Sequence, residues 1–186
     1  MVSYTYHLPS VKTSAVDIPT QIEPLDRRHA VVMQRLVRDP LVTRMTPKPE
    51  PYPDGEAARE IAQAIASREV GSAYCFAVLA DGEFVGVCKL KEVTPEQGEL
   101  GYWIGVPFWG KGMATRAAEH VLQFAFLELK LNCVVAHTMA ENPASARVLE
   151  KLGFEFTGSE PNTHPKWSPD EIVLQYGLTN TSSQGR

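Results

Sequence analysis

A chain of 186 residues, 44% hydrophobic and 22% charged, is long enough for one domain with a substantial core, and its composition excludes a disordered protein. A net charge of −4 gives no electrostatic support to a nucleic-acid or anionic-membrane partner, so we expect neither. The chain has no signal-peptide pattern and no apolar run near the ~20 residues of a membrane span, which predicts a cytoplasmic protein.

Domain boundaries follow from polarity. Residues 1–19 are polar with little periodicity and are predicted to form a loosely held arm, and residues 179–186 are predicted to fray. The intervening residues, 20–178, are predicted to form one domain. The three cysteines, Cys75, Cys88 and Cys133, are widely spaced within apolar runs, which predicts buried thiols, a reducing compartment and no metal site.

The first third of the chain predicts one strand and two helices. A short strand at residues 21–25 precedes Asp26, a favourable N-cap for an amphipathic helix that Pro40 discourages from continuing. After a proline-rich loop from Thr46 to Pro53, Asp54 is predicted to cap a second helix.

The remainder alternates strands and helices. Two apolar runs around Asp81-Gly82 predict a β-hairpin. A strand at 99–106, a long helix from Met113 to Leu129, a strand at 133–139, a short helix ending before Gly153 and two final strands follow. This order predicts an α/β fold with a mixed, mostly antiparallel sheet of six to seven strands and about four flanking helices.

Glycines in the turn before the long helix predict a phosphate site, because backbone N–H groups and the helix dipole converge there. The stretch from Gly105 to Lys111 nearly matches a P-loop, but Gly112 stands where a magnesium-binding Ser or Thr is required. A dinucleotide fingerprint beginning at Gly110 would need a third glycine where Thr115 stands. A glycine turn that serves only close packing is a further alternative.

A third interpretation rests on two sequence blocks. The run Trp109-Gly110-Lys111-Gly112-Met113-Ala114 resembles the pyrophosphate loop of the GNAT (GCN5-related N-acetyltransferase) superfamily, with Trp109 in place of Gln or Arg. The run from Asn142 to Phe154, NPASARVLEKLGF, resembles the family's N-x-x-S-x-x-x-x-x-K-L-G-F block. The resemblance covers residues 20–178 and is closest to the branch of ribosomal-protein N-terminal acetyltransferases.

The resemblance implies a sheet splayed between its fourth and fifth strands, with the pantetheine arm of acetyl-CoA lying in the opening as a pseudo-strand. The edge from Tyr102 to Val106 would contact the arm, and a backbone N–H near Trp103 or Ile104 would polarise the thioester carbonyl. The implied cofactor-binding residues are Trp103, Ile104, Val106, Trp109, Gly110, Lys111, Gly112, Met113, Ala114, Thr115, Asn142, Ser145 and Arg147. For Arg147, a solvated helix residue is the alternative.

Acetyl transfer to an amine requires that the amine lose a proton, since roughly one aliphatic amine in a thousand is neutral at pH 7. Glu99 is the predicted base, acting directly or through water, and His137 and His164 are the alternatives. Many family members carry an acidic tyrosine where this chain has Leu149. Ser145 is therefore predicted to orient the sulfur or to relay a proton through water.

The acceptor is predicted only as a primary amine, on a peptide N-terminus or a small molecule, that attacks directly in a ternary complex. Its pocket is expected between the first two helices, the proline-rich loop and the segment Glu160–Trp167. The candidate lining residues are Tyr52, Trp103, Phe108, His164 and Trp167. A monomer or a homodimer is expected. The alternative function is a catalytically weak GNAT-fold protein that binds acyl-CoA.

Overall fold

A seven-stranded mixed sheet forms the centre of the protein in the computed structural model, which describes residues 19–180. The strands are β1 (Thr20–Pro24), β2 (Tyr74–Ala80), β3 (Glu83–Lys91), β4 (Gln97–Ile104), β5 (Cys133–Met139), β6 (Glu155–Pro161) and β7 (Ile172–Thr179). Their order across the sheet is β1-β2-β3-β4-β5-β7-β6, and β4–β5 is the parallel pair. The predicted fold class is confirmed. The predicted arm up to residue 18 and the tail from 181 lie outside the described residues.

Five α-helices flank the sheet within residues 19–180: α1 (Ala30–Val37), α2 (Pro40–Arg44), α3 (Glu56–Glu69), α4 (Met113–Gln123) and α5 (Pro143–Lys151). The Asp26 carboxylate accepts the N–H of Arg28 at 2.9 Å and caps the turn that leads into α1, as predicted. The extra helix arises because Asp39 caps a new start and Pro40 occupies its first turn, where a missing N–H costs nothing.

Two local predictions, the cap of α3 and the burial of all three cysteines, are wrong, and the long helix is confirmed in extent but changes type near its end. Gly55, with φ of 77°, stands at the N-cap of α3 without a side-chain cap, and Asp54 pairs with Arg38 instead. The long helix is α-helical only to Gln123 and continues as a π-helical turn over Phe124–Glu128. Cys88 is buried, but Cys75 and Cys133 are only half-buried because they lie toward strand ends.

Two hydrophobic cores cover the two faces of the sheet. On one face Leu90, Leu100 and Ile104 pack with α4 and α5 residues such as Val121 and Leu149. On the other, Val87 and Trp103 pack with α1 and α3 residues such as Met33 and Ile61. Because side chains alternate along a strand, β4 presents Leu100, Tyr102 and Ile104 to the first face and Glu99, Gly101 and Trp103 to the second.

The β4–β5 pair is short and opens at one end. Register pairs join Gln97–Leu100 to Cys133–Ala136 and stop there, although both strands continue. From Gly101 onward β4 has no strand partner on its β5 side within the described residues. The sheet is therefore splayed at the predicted position. None of the described helices combines the length and the apolar character needed to cross a bilayer.

Candidate active site

A cleft of about 1180 Å³ occupies the opening between β4 and β5. Most of the predicted site residues line it: Glu99, Trp103, Ile104, Trp109, Gly110, Gly112, Met113, Ala114, Thr115, Asn142, Ser145 and Arg147. Both alternative bases, His137 and His164, also line it. Val106 and Lys111 do not, since Val106 starts a short 3₁₀ turn and Lys111 Nζ donates to the Pro107 carbonyl at 3.1 Å.

The exposed backbone edge of β4 belongs to alternate residues. The N–H of Gly105 donates to the carbonyl of Val85 on β3 at 2.8 Å. Because backbone groups of alternate residues point to the same side of a strand, Trp103 also faces β3, whereas Tyr102 and Ile104 face the opening. Of the two predicted polarising amides, only that of Ile104 is directed into the cleft. The Ile104 carbonyl is already occupied, because Trp109 Nε1 donates to it at 2.6 Å.

The turn before α4 uses glycine where the backbone requires it. Gly110 and Gly112 have φ of 75° and 74°, a region that other residues rarely adopt. A Cβ at Gly112 would also lie 3.0 Å from Arg116 Nη1, whose side chain donates to the Lys111 carbonyl at 2.7 Å. The turn is thus held in a shape that a larger side chain would disturb.

The first turn of α4 supplies a set of hydrogen-bond donors. The N–H groups of Met113, Ala114 and Thr115 precede the first intrahelical bond, which runs from Arg116 N–H to the Gly112 carbonyl at 3.1 Å. They point toward the end of the cleft that Gly110 and Gly112 line. This donor set and the positive end of the helix dipole fit a pyrophosphate.

On the α4–α5 face, two hydroxyl groups meet. The Asn142 side chain accepts the N–H of Ser145 at 3.1 Å and so fixes the start of α5. Tyr102 Oη lies 3.0 Å from Ser145 Oγ and donates to the Ser145 carbonyl at 3.1 Å. Burial raises the pKa of the Tyr102 phenol, so it stays protonated near neutral pH. The sequence predicts only a backbone role for Tyr102. Strand alternation from Glu99 was the signal that could have identified it.

Leu149 and Arg147 lie on different sides of α5. Leu149, at the position where the family tyrosine is missing, is 1% exposed within the core. Arg147 is exposed at the rim of the cleft. The hydroxyl pair of Tyr102 and Ser145 is therefore the acid–base chemistry available on this face.

The opposite face carries Glu99 between a lysine and a histidine. Lys91 Nζ lies 3.0 Å from Glu99 Oε2, and His137 Nδ1 lies 3.3 Å from Glu99 Oε1. Burial alone would lower the pKa of Lys91, but the contact with Glu99 outweighs it and the net shift is upward. The first two predicted bases are thus neighbours.

The loop between β6 and β7 closes the far wall of this face. Lys166 Nζ donates to the carbonyls of Thr43, Thr46 and Lys48 at 2.6, 3.1 and 2.5 Å. The indole of Trp167 donates to the Arg44 carbonyl at 2.9 Å. His164 packs against Trp167 with ring centroids 5.0 Å apart and also lines the cleft.

Among the candidate acceptor-pocket residues, Trp103, Phe108, His164 and Trp167 line the cleft, and Tyr52 does not. Tyr52 is 5% exposed in the α1–α3 core, where its hydroxyl donates to Glu60 at 2.9 Å. Tyr52 therefore contacts the cleft only indirectly, because its phenol holds the Glu60 carboxylate that Lys48 contacts.

Known proteins are similar to this chain in sequence. A family model described as acetyltransferase (GNAT) domain matches residues 20–155. An uncharacterized N-acetyltransferase of Bacillus licheniformis, p20, is 30% identical over 142 residues, which cover 74% of this chain and 79% of that protein.

Two solved structures are similar in fold. One is RimL, a ribosomal L7/L12 α-N-protein acetyltransferase in complex with coenzyme A, with a TM-score of 0.79, 17% identity and coverage of 86% of this chain and 93% of that chain. The other is spermidine N-acetyltransferase of Vibrio cholerae in complex with CoA and spermine, with a TM-score of 0.75, 18% identity and coverage of 86% and 95%. At these identities they establish the fold alone.

Proposed function

The chain belongs to the GNAT acetyltransferase family, and we propose that it transfers an acetyl group from acetyl-CoA to a primary amine by direct attack in a ternary complex. The acceptors named for similar folds include a ribosomal protein N-terminus and spermidine, so membership leaves the kind of amine open. The observation that carries the proposal is the splayed β4–β5 edge, with the glycine turn before α4 at one end and Glu99 beside it.

Acetyl-CoA, when bound, supplies a thioester whose carbonyl carbon is the electrophile and whose thiolate is the leaving group. The amides of residues 112–115 would hold its pyrophosphate, and the open backbone of Tyr102 and Ile104 would hold its pantetheine arm. The Ile104 N–H would stabilise negative charge that develops on the carbonyl oxygen.

Proton transfer divides between the two faces of β4. On the acceptor face, Glu99 would accept the proton of the attacking amine, directly or through water, with His137 oriented by the same carboxylate. On the other face, the Ser145 hydroxyl, held beside the Tyr102 hydroxyl, would donate a hydrogen bond toward the departing sulfur. A thiol has a pKa near 8.5, so the thiolate needs little assistance, and the base is the more demanding role.

A panel of amines tests the proposal. The purified protein is incubated with acetyl-CoA and peptides, amino acids, polyamines or simple alkylamines, and released thiol is measured against a sample without amine. We expect release above that background with at least one class. If acetyl-CoA binds but no amine increases the release, the protein is an acyl-CoA-binding member of the family with little chemistry, and the proposal is wrong.

A further inference from the structure

On the α1–α3 side of the sheet, the cleft wall that β3, β4, α3 and the loop after α2 form has more positive than negative charge. Five charged side chains line it: Lys48, Glu60, Lys89, Lys91 and Glu99. Lys48 contacts Glu60, and Lys91 contacts Glu99. The Lys89 side chain makes no ion pair or hydrogen bond with any residue between 19 and 180. The wall therefore carries one positive charge without a counter-ion.

Lys89 lies on β3, next to the strand that carries the proposed base, Glu99. In the β3–β4 register Lys91 is opposite Glu99, and Lys89 is opposite Gly101. The Lys89 stem crosses over Gly101, since its Cε lies 3.2 Å from where a Cβ on that glycine would be. The absent side chain at Gly101 makes room for this half-buried lysine beside the strand that carries Glu99.

The surroundings of Lys89 are already crowded with positive charge. Lys48 Nζ lies 5.9 Å from the ring centre of Trp103, on the same face. Burial lowers the pKa of Lys48, and repulsion from Lys89 acts in the same direction, so that the contact with Glu60 does not restore it. A bound anion would relieve this repulsion and satisfy Lys89.

A cationic tail has no comparable partner on this wall. Both carboxylates that line it, Glu60 and Glu99, already contact a lysine. Of the more distant carboxylates that line the cleft, Glu141 lies 3.7 Å from Arg44. Glu160 is on β6, four strands from β3, or about 19 Å at ~4.8 Å per strand. The charges on this wall, with Lys89 unpaired, therefore favour a bound anion over a polyamine.

We infer that the acceptor, within the proposed function, is an amine that also carries a carboxylate, with the amine at Glu99 and the carboxylate at Lys89. Lys89 and Lys91 are two residues apart on β3, which sets a spacing of about 7 Å between the two groups. An ω-amino acid or a peptide N-terminus followed by an acidic side chain has this chemistry. The two sources differ in the pKa of the amine and are separated by the probes below.

The experiment compares matched acid and amide acceptors. The pairs are 5-aminopentanoate with 5-aminopentanamide, and the peptides Ser-Glu-Ala-amide with Ser-Gln-Ala-amide, with spermidine as the cationic probe. We expect kcat/KM for the acid of at least one pair to exceed that of its amide roughly tenfold to a hundredfold, and that pair identifies the source. Lys89→Met should abolish the preference, Lys89→Glu should reverse it toward spermidine, and Lys130→Met, which removes an exposed lysine outside the cleft, should leave it unchanged.

Binding of the acetylated products separates this inference from the proposed function. In the presence of CoA, calorimetry should detect the N-acetyl acid more tightly bound than the N-acetyl amide, and Lys89→Met should equalise them. Equal affinity of acid and amide for the wild type, or a preference that persists in folded Lys89→Met, would overturn the inference. Tighter binding of the acid without turnover of any amine would support the carboxylate site at Lys89 and overturn the proposed function, and with it the role of the ligand as acceptor.

Discussion

Replacement of Glu99 by glutamine tests the proposed base with almost no change of shape. The Glu99 side chain is 14% exposed and contacts Lys91 and His137, so a carboxamide of the same size fits the same space. Lys91 is 37% exposed, and we expect the lost ion pair to cost less than about 1 kcal/mol of the unfolding free energy. A large loss of activity would then report on chemistry rather than on folding.

The expected magnitude follows from the acceptor. An amine with a pKa near 10.4 is neutral in roughly one molecule in 2,500 at pH 7, and an α-amine with a pKa near 8 in about one in ten. Glu99→Gln should therefore lower the rate by ~10²-fold or more at pH 7 for the first kind of amine and by less for the second. The deficit should shrink as pH rises to 9.5, because solvent then supplies neutral amine.

The assay is a pH–rate profile of wild type and Glu99→Gln from pH 6.5 to 9.5, with one acceptor of each kind. Glu92→Gln is the matched control, since Glu92 also contacts Lys91, at 3.4 Å, but is exposed outside the cleft. It should behave like the wild type. A deficit that stays constant over the whole range would refute Glu99 as the base and direct attention to His137, whose substitution by Asn would then carry the pH dependence.

Three further predictions concern the cofactor turn, the hydroxyl pair and the far wall. Gly112→Val should abolish the rise in melting temperature that acetyl-CoA causes. In the wild type, acetyl-CoA at 100 times its Kd should add ~2.7 kcal/mol to the unfolding free energy. Gly82→Val, at φ of 80° in the hairpin, controls for backbone strain and should keep the rise. Unaltered affinity in Gly112→Val would contradict the assignment of the turn. Ser145→Ala and Tyr102→Phe should each lower kcat about tenfold. A thousandfold loss with intact cofactor binding would mean that protonation of the leaving thiolate contributes far more to the rate than we expect. Asn162→Ala removes three hydrogen bonds from Nδ2 to loop carbonyls and should cost ~1–3 kcal/mol of unfolding free energy. It should raise KM for the amine but not for acetyl-CoA. An equal rise in KM for acetyl-CoA would mean that this loop does not form the wall of the acceptor pocket.

The features that the sequence predicted are those encoded by neighbouring residues. The hairpin at Asp81-Gly82, the glycine turn before α4 and the Asn142 block at the start of α5 each depend on a few consecutive residues. The same holds for the splayed sheet, which the resemblance implied from those local blocks. One such local prediction was wrong: Asp54 has a side chain suited to capping a helix, but it stands one residue before the N-cap of α3.

Contacts between distant residues were not predictable in the same way. Tyr102 and Ser145 are 43 positions apart, and their hydroxyl contact depends on which face of β4 points toward α5. The approach of Glu99 to His137 requires the parallel register in which Glu99 is opposite Val135, since His137 is then a diagonal neighbour. A shift by one residue would turn His137 to the other face. The register depends on the whole sheet and cannot be derived from the sequence of either strand alone.

The placement of the cleft has a consequence for how the protein acquires it. Strands β1–β4 come from residues 20–104 and β5–β7 from residues 133–179, so each half of the sheet is contiguous in sequence and antiparallel within itself. The parallel β4–β5 pairing joins the two halves of the sheet, and the crossover that contains α4, residues 105–132, connects them in sequence. The proposed catalytic groups lie on both sides of this junction, with Glu99 and Tyr102 on β4 and their partners His137 and Ser145 in the second half, so they converge only when the two halves pair. A chain in which only one half has folded therefore lacks the candidate active site.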